Sequence, residues 1–188
     1  MFKRVGVAAL ALGVLSAAGC AKQSTPTINA SMTQIMEPNA QTIWDITSGA
    51  YNDKGDGLEA SKIPAVDWIK VAKAARQMRD RARILAKAPT ALVVAAPNET
   101  ILGQNSSHSG AKGTYDAAST EQVKALIDGN PALFAQKAKE LADAGDAMLK
   151  AAHRKDAATL YKVSAGLDEN CDGCHQPFWG TDETPPPK

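Results

Sequence analysis

From Asp156 to Trp179 the chain reads DAATLYKVSAGLDENCDGCHQPFW. Leu160, Val163, Leu167, Cys171 and Cys174 recur there at steps of three and four, the spacing of one face of an α-helix. The same stretch holds Cys171-Asp172-Gly173-Cys174-His175, the C-x-x-C-H pattern of a c-type haem attachment site. Two thiols one helical turn apart suit addition to the two vinyl groups along one porphyrin edge. The imidazole beside the second thiol is then held under the ring, where a nitrogen reaches iron. The period sets both thiols on the core-facing side of this helix. An all-α fold with one covalently bound haem c in its interior is the expectation.

Other chemistries use the same cysteine spacing. A redox dithiol sits between a strand and a helix, and no strand pattern flanks this one. A zinc site needs four ligands, and the other histidines, His108 and His153, stand isolated. An ordinary disulfide is the third alternative.

The start of the chain bears on the choice. Lys3 and Arg4 precede an apolar run from Val5 to Leu15, and Ser16-Ala17-Ala18-Gly19 supplies the small residues of a cleavage site. Residues 1–20 therefore read as an export signal, with an apolar run too short for a stable membrane-spanning helix. Ala17-Ala18-Gly19-Cys20 is similar to a lipobox, so Cys20 is the expected lipidation site and the first mature residue. An ordinary cut near Ala18 or Ala21 would leave Cys20 as a spare thiol, which is unusual outside the cell. Of the three cysteines, one is thus assigned to lipid and two to haem. Covalent haem attachment in bacteria takes place outside the cytoplasmic membrane, so the periplasm is the expected compartment, with anchoring to the outer membrane through the lipid. Of 21 basic residues, 19 remain after Lys3 and Arg4 are removed, against 20 acidic ones. No basic patch of the kind that tracks phosphates is present, which argues against nucleic acid as a partner.

Residues 21–30 are polar, with Thr25-Pro26-Thr27, and read as a tether. A single domain is expected over 31–180, followed by a frayed tail over 181–188 with Pro185-Pro186-Pro187. Four segments carry helical periodicity. The first spans about Ser31 to Tyr51 and is either kinked or started by Pro38. The second runs from about Ala65 to Lys87 with Trp68, Val71, Ala72, Ala75, Met78, Ala82 and Leu85 on one face. The third starts with Asn130 as cap and Pro131 at its first position, and its stripe is Phe134, Ala138, Leu141, Gly145, Met148 and Ala152. A few residues near Arg154 separate it from the fourth, about Asp156 to Gln176, which Pro177 ends. These last two should be antiparallel neighbours. Ala88 to Ser119 has no clear period and reads as an insertion, with His108 solvated. Asn52-Asp53-Lys54-Gly55-Asp56-Gly57 lacks the alternating oxygen ligands of a calcium loop and reads as a turn.

Four helices, an N-terminal methionine and a late C-x-x-C-H together resemble the class II c-type cytochromes, the cytochrome c prime group. The likeness is closest to an exported bacterial branch. Its first helix is similar to Met32-Thr33-Gln34-Ile35-Met36-Glu37-Pro38 with Ile43-Trp44-Asp45. Its second is similar to Pro64 with Trp68, and its last to Lys155-Asp156-Ala157, the haem motif and Phe178-Trp179. The resemblance covers about Ser31 to Trp179, except the Ala88 to Ser119 stretch.

It implies a four-helix bundle in which His175 is the proximal iron ligand. It also implies that a residue of the first helix, Met32 (or Met36 one turn later), faces the other side of the iron. Trp179 stands where prime-type members commonly carry a basic residue. His153, where the third helix ends, has a dipole contact as its default role, and bis-histidine ligation is the lesser alternative. The tryptophans Trp44, Trp68 and Trp179 are core residues or line the haem. The expected function is a monohaem electron-transfer protein, not an enzyme, serving redox partner proteins of the cell envelope. The alternative is a gas-binding protein for nitric oxide or carbon monoxide with an open sixth iron site, and a third is a dithiol protein without haem. The resemblance also admits a homodimer.

Overall fold

A computed structural model of the chain describes residues 26–97, 99, 101 and 119–179. Cys20, His108, the export segment and the tail lie outside the described residues. Among those described, every regular element is a helix, apart from an isolated bridge between Tyr51 and Leu58. The all-α expectation holds.

The first helical run starts earlier than its periodicity suggested. The Thr27 hydroxyl accepts the Ala30 N–H at 3.0 Å and caps α1 (Ile28–Ser31). The chain passes directly into a π-helical turn, Met32–Met36, and then into α2 (Glu37–Ser48). The helix therefore neither breaks nor begins at Pro38. Proline has no N–H, and its ring presses on the carbonyl four residues back, here that of Gln34. The wider turn just upstream closes through the Glu37 N–H and the Met32 carbonyl and gives that carbonyl room.

Ile28 and Asn29 are buried, and their N–H groups donate to the Val93 and Val94 carbonyls at 2.9 and 2.8 Å. The tether expected over 21–30 thus gives way to folded chain by Thr27. At the other end the helix stops at Ser48, short of Tyr51. Asn52 to Gly57 forms the expected turn, with the Asn52 N–H donating to Gly57 at 2.9 Å and Gly55 at a φ of 74°.

The second long helix, α3 (Ala65–Lys87), follows Pro64 and buries Trp68, Val71, Ala72, Ala75, Met78, Ala82 and Leu85 as its period requires. The stretch expected to be an insertion is part core: Leu92 and Val94 are buried just beyond a short 3-10 turn, Pro89–Ala91. A helix absent from the expected four follows, α4 (Thr120–Gly129). Ser119 and Gln122 cap it reciprocally, and Val123 and Ile127 are its buried residues.

Asn130 then caps α5 (Pro131–Arg154) by accepting the Leu133 N–H at 3.2 Å, with Pro131 in the first turn as expected. Lys155 takes a left-handed conformation, φ 53°, and reverses the chain. Asp156 caps α6 (Ala157–Ala165), and Gly166 separates it from α7 (Leu167–Trp179), so the expected single fourth helix is divided. Pro177 lies inside α7 instead of ending it. Its missing N–H would have met the Gly173 carbonyl in the last turn, where only two residues follow, so little is lost.

Helices α3 and α5 lie against each other along their lengths. They approach closely at Gly145, where a Cβ would stand 2.9 Å from Arg79 Cβ and 3.1 Å from the Ala75 carbonyl oxygen. Arg79 donates to Asp146 at 3.2 Å, and Arg83 pairs with the other oxygen of the same carboxylate. Long-range contacts give the directions. Arg81 of α3 reaches Ser31 Oγ at 3.2 Å, and Tyr51, just past α2, meets the Tyr161 ring of α6 edge-on at 5.9 Å. Phe134, early in α5, meets Phe178 at the end of α7 at 5.2 Å. The Pro89–Ala91 turn that follows α3 packs on α5 and on α4, the helix leading into α5, so one end of the molecule gathers the start of α1, the end of α3, the start of α5 and the end of α7. Helix α4 packs on α5 and α7 there.

Candidate functional site

Helix α7 forms in spite of Gly173 and Pro177 because its inner face is apolar. Leu167 and Phe178 are buried, and Cys171, Cys174 and Trp179 pack partly buried against the core. Asp168 and Glu169 in its first turn suit the positive end of the helix dipole. Both cysteines are free, so no disulfide closes the motif.

Their environment is apolar. Burial, reinforced by Asp168, Cys174 and Asp172, pushes the Cys171 thiol up to about 12. Burial pushes Cys174 up to about 11, with Lys137 lowering it and Glu140 raising it. A redox dithiol works through a depressed thiol pKa, the opposite of what burial does here. Burial also lowers His175, against the Asp172 carboxylate, and so favours the neutral imidazole that can ligate a metal. Among the described residues no hydrogen bond occupies either ring nitrogen of His175, and its ring centroid lies 6.5 Å from that of Trp179.

Among the described residues no three His, Cys, Asp or Glu side chains converge to hold a metal ion. Free thiols one turn apart and partly buried against the core, beside an imidazole that burial disposes toward its neutral form, are a residue set suited to a porphyrin's vinyl groups and iron.

Met32 opens the π-turn and is half-buried against the core, and Met36 is fully buried. The π-turn belongs to the same end of the molecule as α7. Glu99 secures that end, its carboxylate accepting the Thr27 hydroxyl at 2.7 Å and the Ala96 N–H at 3.0 Å. Those bonds hold the Glu99 pKa below the ordinary carboxylate value. His153 lies exposed in the last turn of α5, roughly 28 Å along the axis from Phe134. It is not brought to the motif. Trp68, early in α3, is buried at that distant end, and Trp44 is half-buried on α2.

Two features at the motif were not anticipated from sequence. One is α4, whose signal was the capping pair Ser119 and Gln122. The other is Lys137, whose side chain lies over Gly173. No protein-family model matches the chain, and neither does any curated protein or solved structure. Among the described residues no helix is long and apolar enough to cross a membrane.

Proposed function

We propose that the chain is a monohaem c-type cytochrome of the four-helix-bundle class, carrying single electrons at the cell envelope. The observation that carries this reading is the state of Cys171 and Cys174: free, packed against the core one turn apart, and followed by His175, whose pKa burial lowers. Bound haem c supplies one-electron Fe(III)/Fe(II) chemistry. Cys171 and Cys174 would hold the group through thioethers, and His175 would offer a ring nitrogen to its iron. The apolar inner face of α7, with Phe134 and Phe178 beneath it, excludes water from that side of the site.

The contacts that set the start of the first helical run and the end of α7 at one end of the molecule support Met32, in the π-turn, as the residue that would face the other side of the iron. π-Turns within α-helices are frequent at functional sites. In this reading the four bundle helices are α1–α2, α3, α5 and α6–α7, with α4 an addition at the haem end. Export through residues 1–20 and lipidation at Cys20 complete it, with redox proteins of the envelope as partners.

Optical spectra of the holoprotein test the reading. A low-spin ferrous spectrum indifferent to carbon monoxide, converted in Met32→Ala to a form that binds the gas, is the expected result. A wild-type ferrous protein that binds carbon monoxide readily would replace electron transfer with gas binding at an open sixth site.

A further inference from the structure

One charged side chain outside the motif lies directly on it. Lys137 of α5 crosses α7 at Gly173, between the two cysteines. A Cβ built on Gly173 would stand 3.6 Å from Lys137 Nζ and 3.9 Å from its Cδ and Cε. The Lys137 side chain is only 28% exposed, and its Nζ donates to Glu140 Oε2 at 2.9 Å. Gln136 Nε2 donates to the other Glu140 oxygen, also at 2.9 Å. The pair is thus fixed along α5, and its cationic end rests on the motif.

We infer that Lys137 and Glu140 form an electrostatic control pair for the haem site, the ammonium raising the reduction potential of the iron and the carboxylate opposing it. This inference rests on the haem-protein reading above. Ferric haem carries one more positive charge than ferrous haem, so a nearby cation disfavours the oxidised state. The effect grows as the charge leaves water, and Lys137 is the half-buried cation at the motif. Both charges already reach the Cys174 sulfur with opposite signs. Asp168, Glu169 and Asp172 line the outer face of α7 and are exposed, so solvent and salt screen them more strongly.

The test is a redox titration of the holoprotein, comparing wild type with Lys137→Gln, Lys137→Arg and Glu140→Gln. The expected result is a lower potential in Lys137→Gln, a higher one in Glu140→Gln and a near-native one in Lys137→Arg. Loosened packing would expose the haem in both neutral variants and move both potentials the same way, so opposite signs separate charge from structure. Shifts of the same sign, or none, overturn the inference while leaving the haem reading intact. A wild-type chain that carries no covalent haem overturns both.

Discussion

Gly145→Ala probes the contact on which the whole arrangement rests, the close approach of α3 and α5. The added methyl would stand 2.9 Å from Arg79 Cβ and 3.1 Å from both Arg79 Cα and the Ala75 carbonyl oxygen. None of these atoms can rotate away, because they belong to the backbone of α3 or to its first side-chain carbon. The helices must separate by a few tenths of an ångström. Overpacking of this kind costs about 1–3 kcal/mol. Alanine returns about 1 kcal/mol of helix propensity over glycine in a helix interior. The net expectation is a loss of about 1 kcal/mol, lowering Tm by roughly 2–4 °C for a domain of this size.

Gly173→Ala supplies the opposite case, since the atoms nearest its methyl would be those of Lys137 at 3.6–3.9 Å, ordinary contact distances. Propensity should then win, stabilising the chain by up to about 1 kcal/mol. Urea and thermal unfolding followed by far-ultraviolet circular dichroism measure both. A Gly145→Ala protein as stable as wild type, or more stable, would refute the packing argument.

Two further outcomes follow from the site and its supports. In chain prepared without haem, iodoacetamide at pH 8 should alkylate both Cys171 and Cys174 roughly tenfold or more slowly than an ordinary thiol, because burial raises their pKa values to about 12 and about 11. Labelling at the free-cysteine rate without denaturant would contradict their burial. Asp156, which caps α6, is held below its ordinary value of 3.8 by the Thr159 hydroxyl and N–H. Its contribution is therefore complete above that value and is lost as pH falls through the lower folded-state pKa. Asp156→Asn should flatten the acid limb of the urea midpoint against pH, and an unchanged limb would show that the cap titrates without effect.

The long helices were legible because their apolar residues recur without interruption, as along Trp68 to Leu85, and because Asn130-Pro131 is a strong start signal. The division at Gly166 was not, since the stripe from Leu160 to Cys174 continues across it. Pro38 and Pro177 misled for one physical reason. The rule against proline assumes a regular helix interior, whereas a π-turn relieves the first and a helix end the second. The ten residues of α4 bury little more than Val123 and Ile127, too short a pattern to stand out beside the aperiodic residues before it. The motif itself was plain from Cys171 to His175. Lys137 over Gly173 was hidden, because pairing between residues of two helices depends on their crossing and leaves no local pattern.

The central claim is that Cys171 and Cys174 carry haem covalently. Intact-mass measurement of the denatured holoprotein, made in cells with a haem c maturation apparatus, tests it directly. The expected result is chain plus one haem that survives acidified organic solvent, and no haem in the Cys171→Ala/Cys174→Ala protein. A wild-type chain of bare polypeptide mass, or haem that extracts freely, would contradict it.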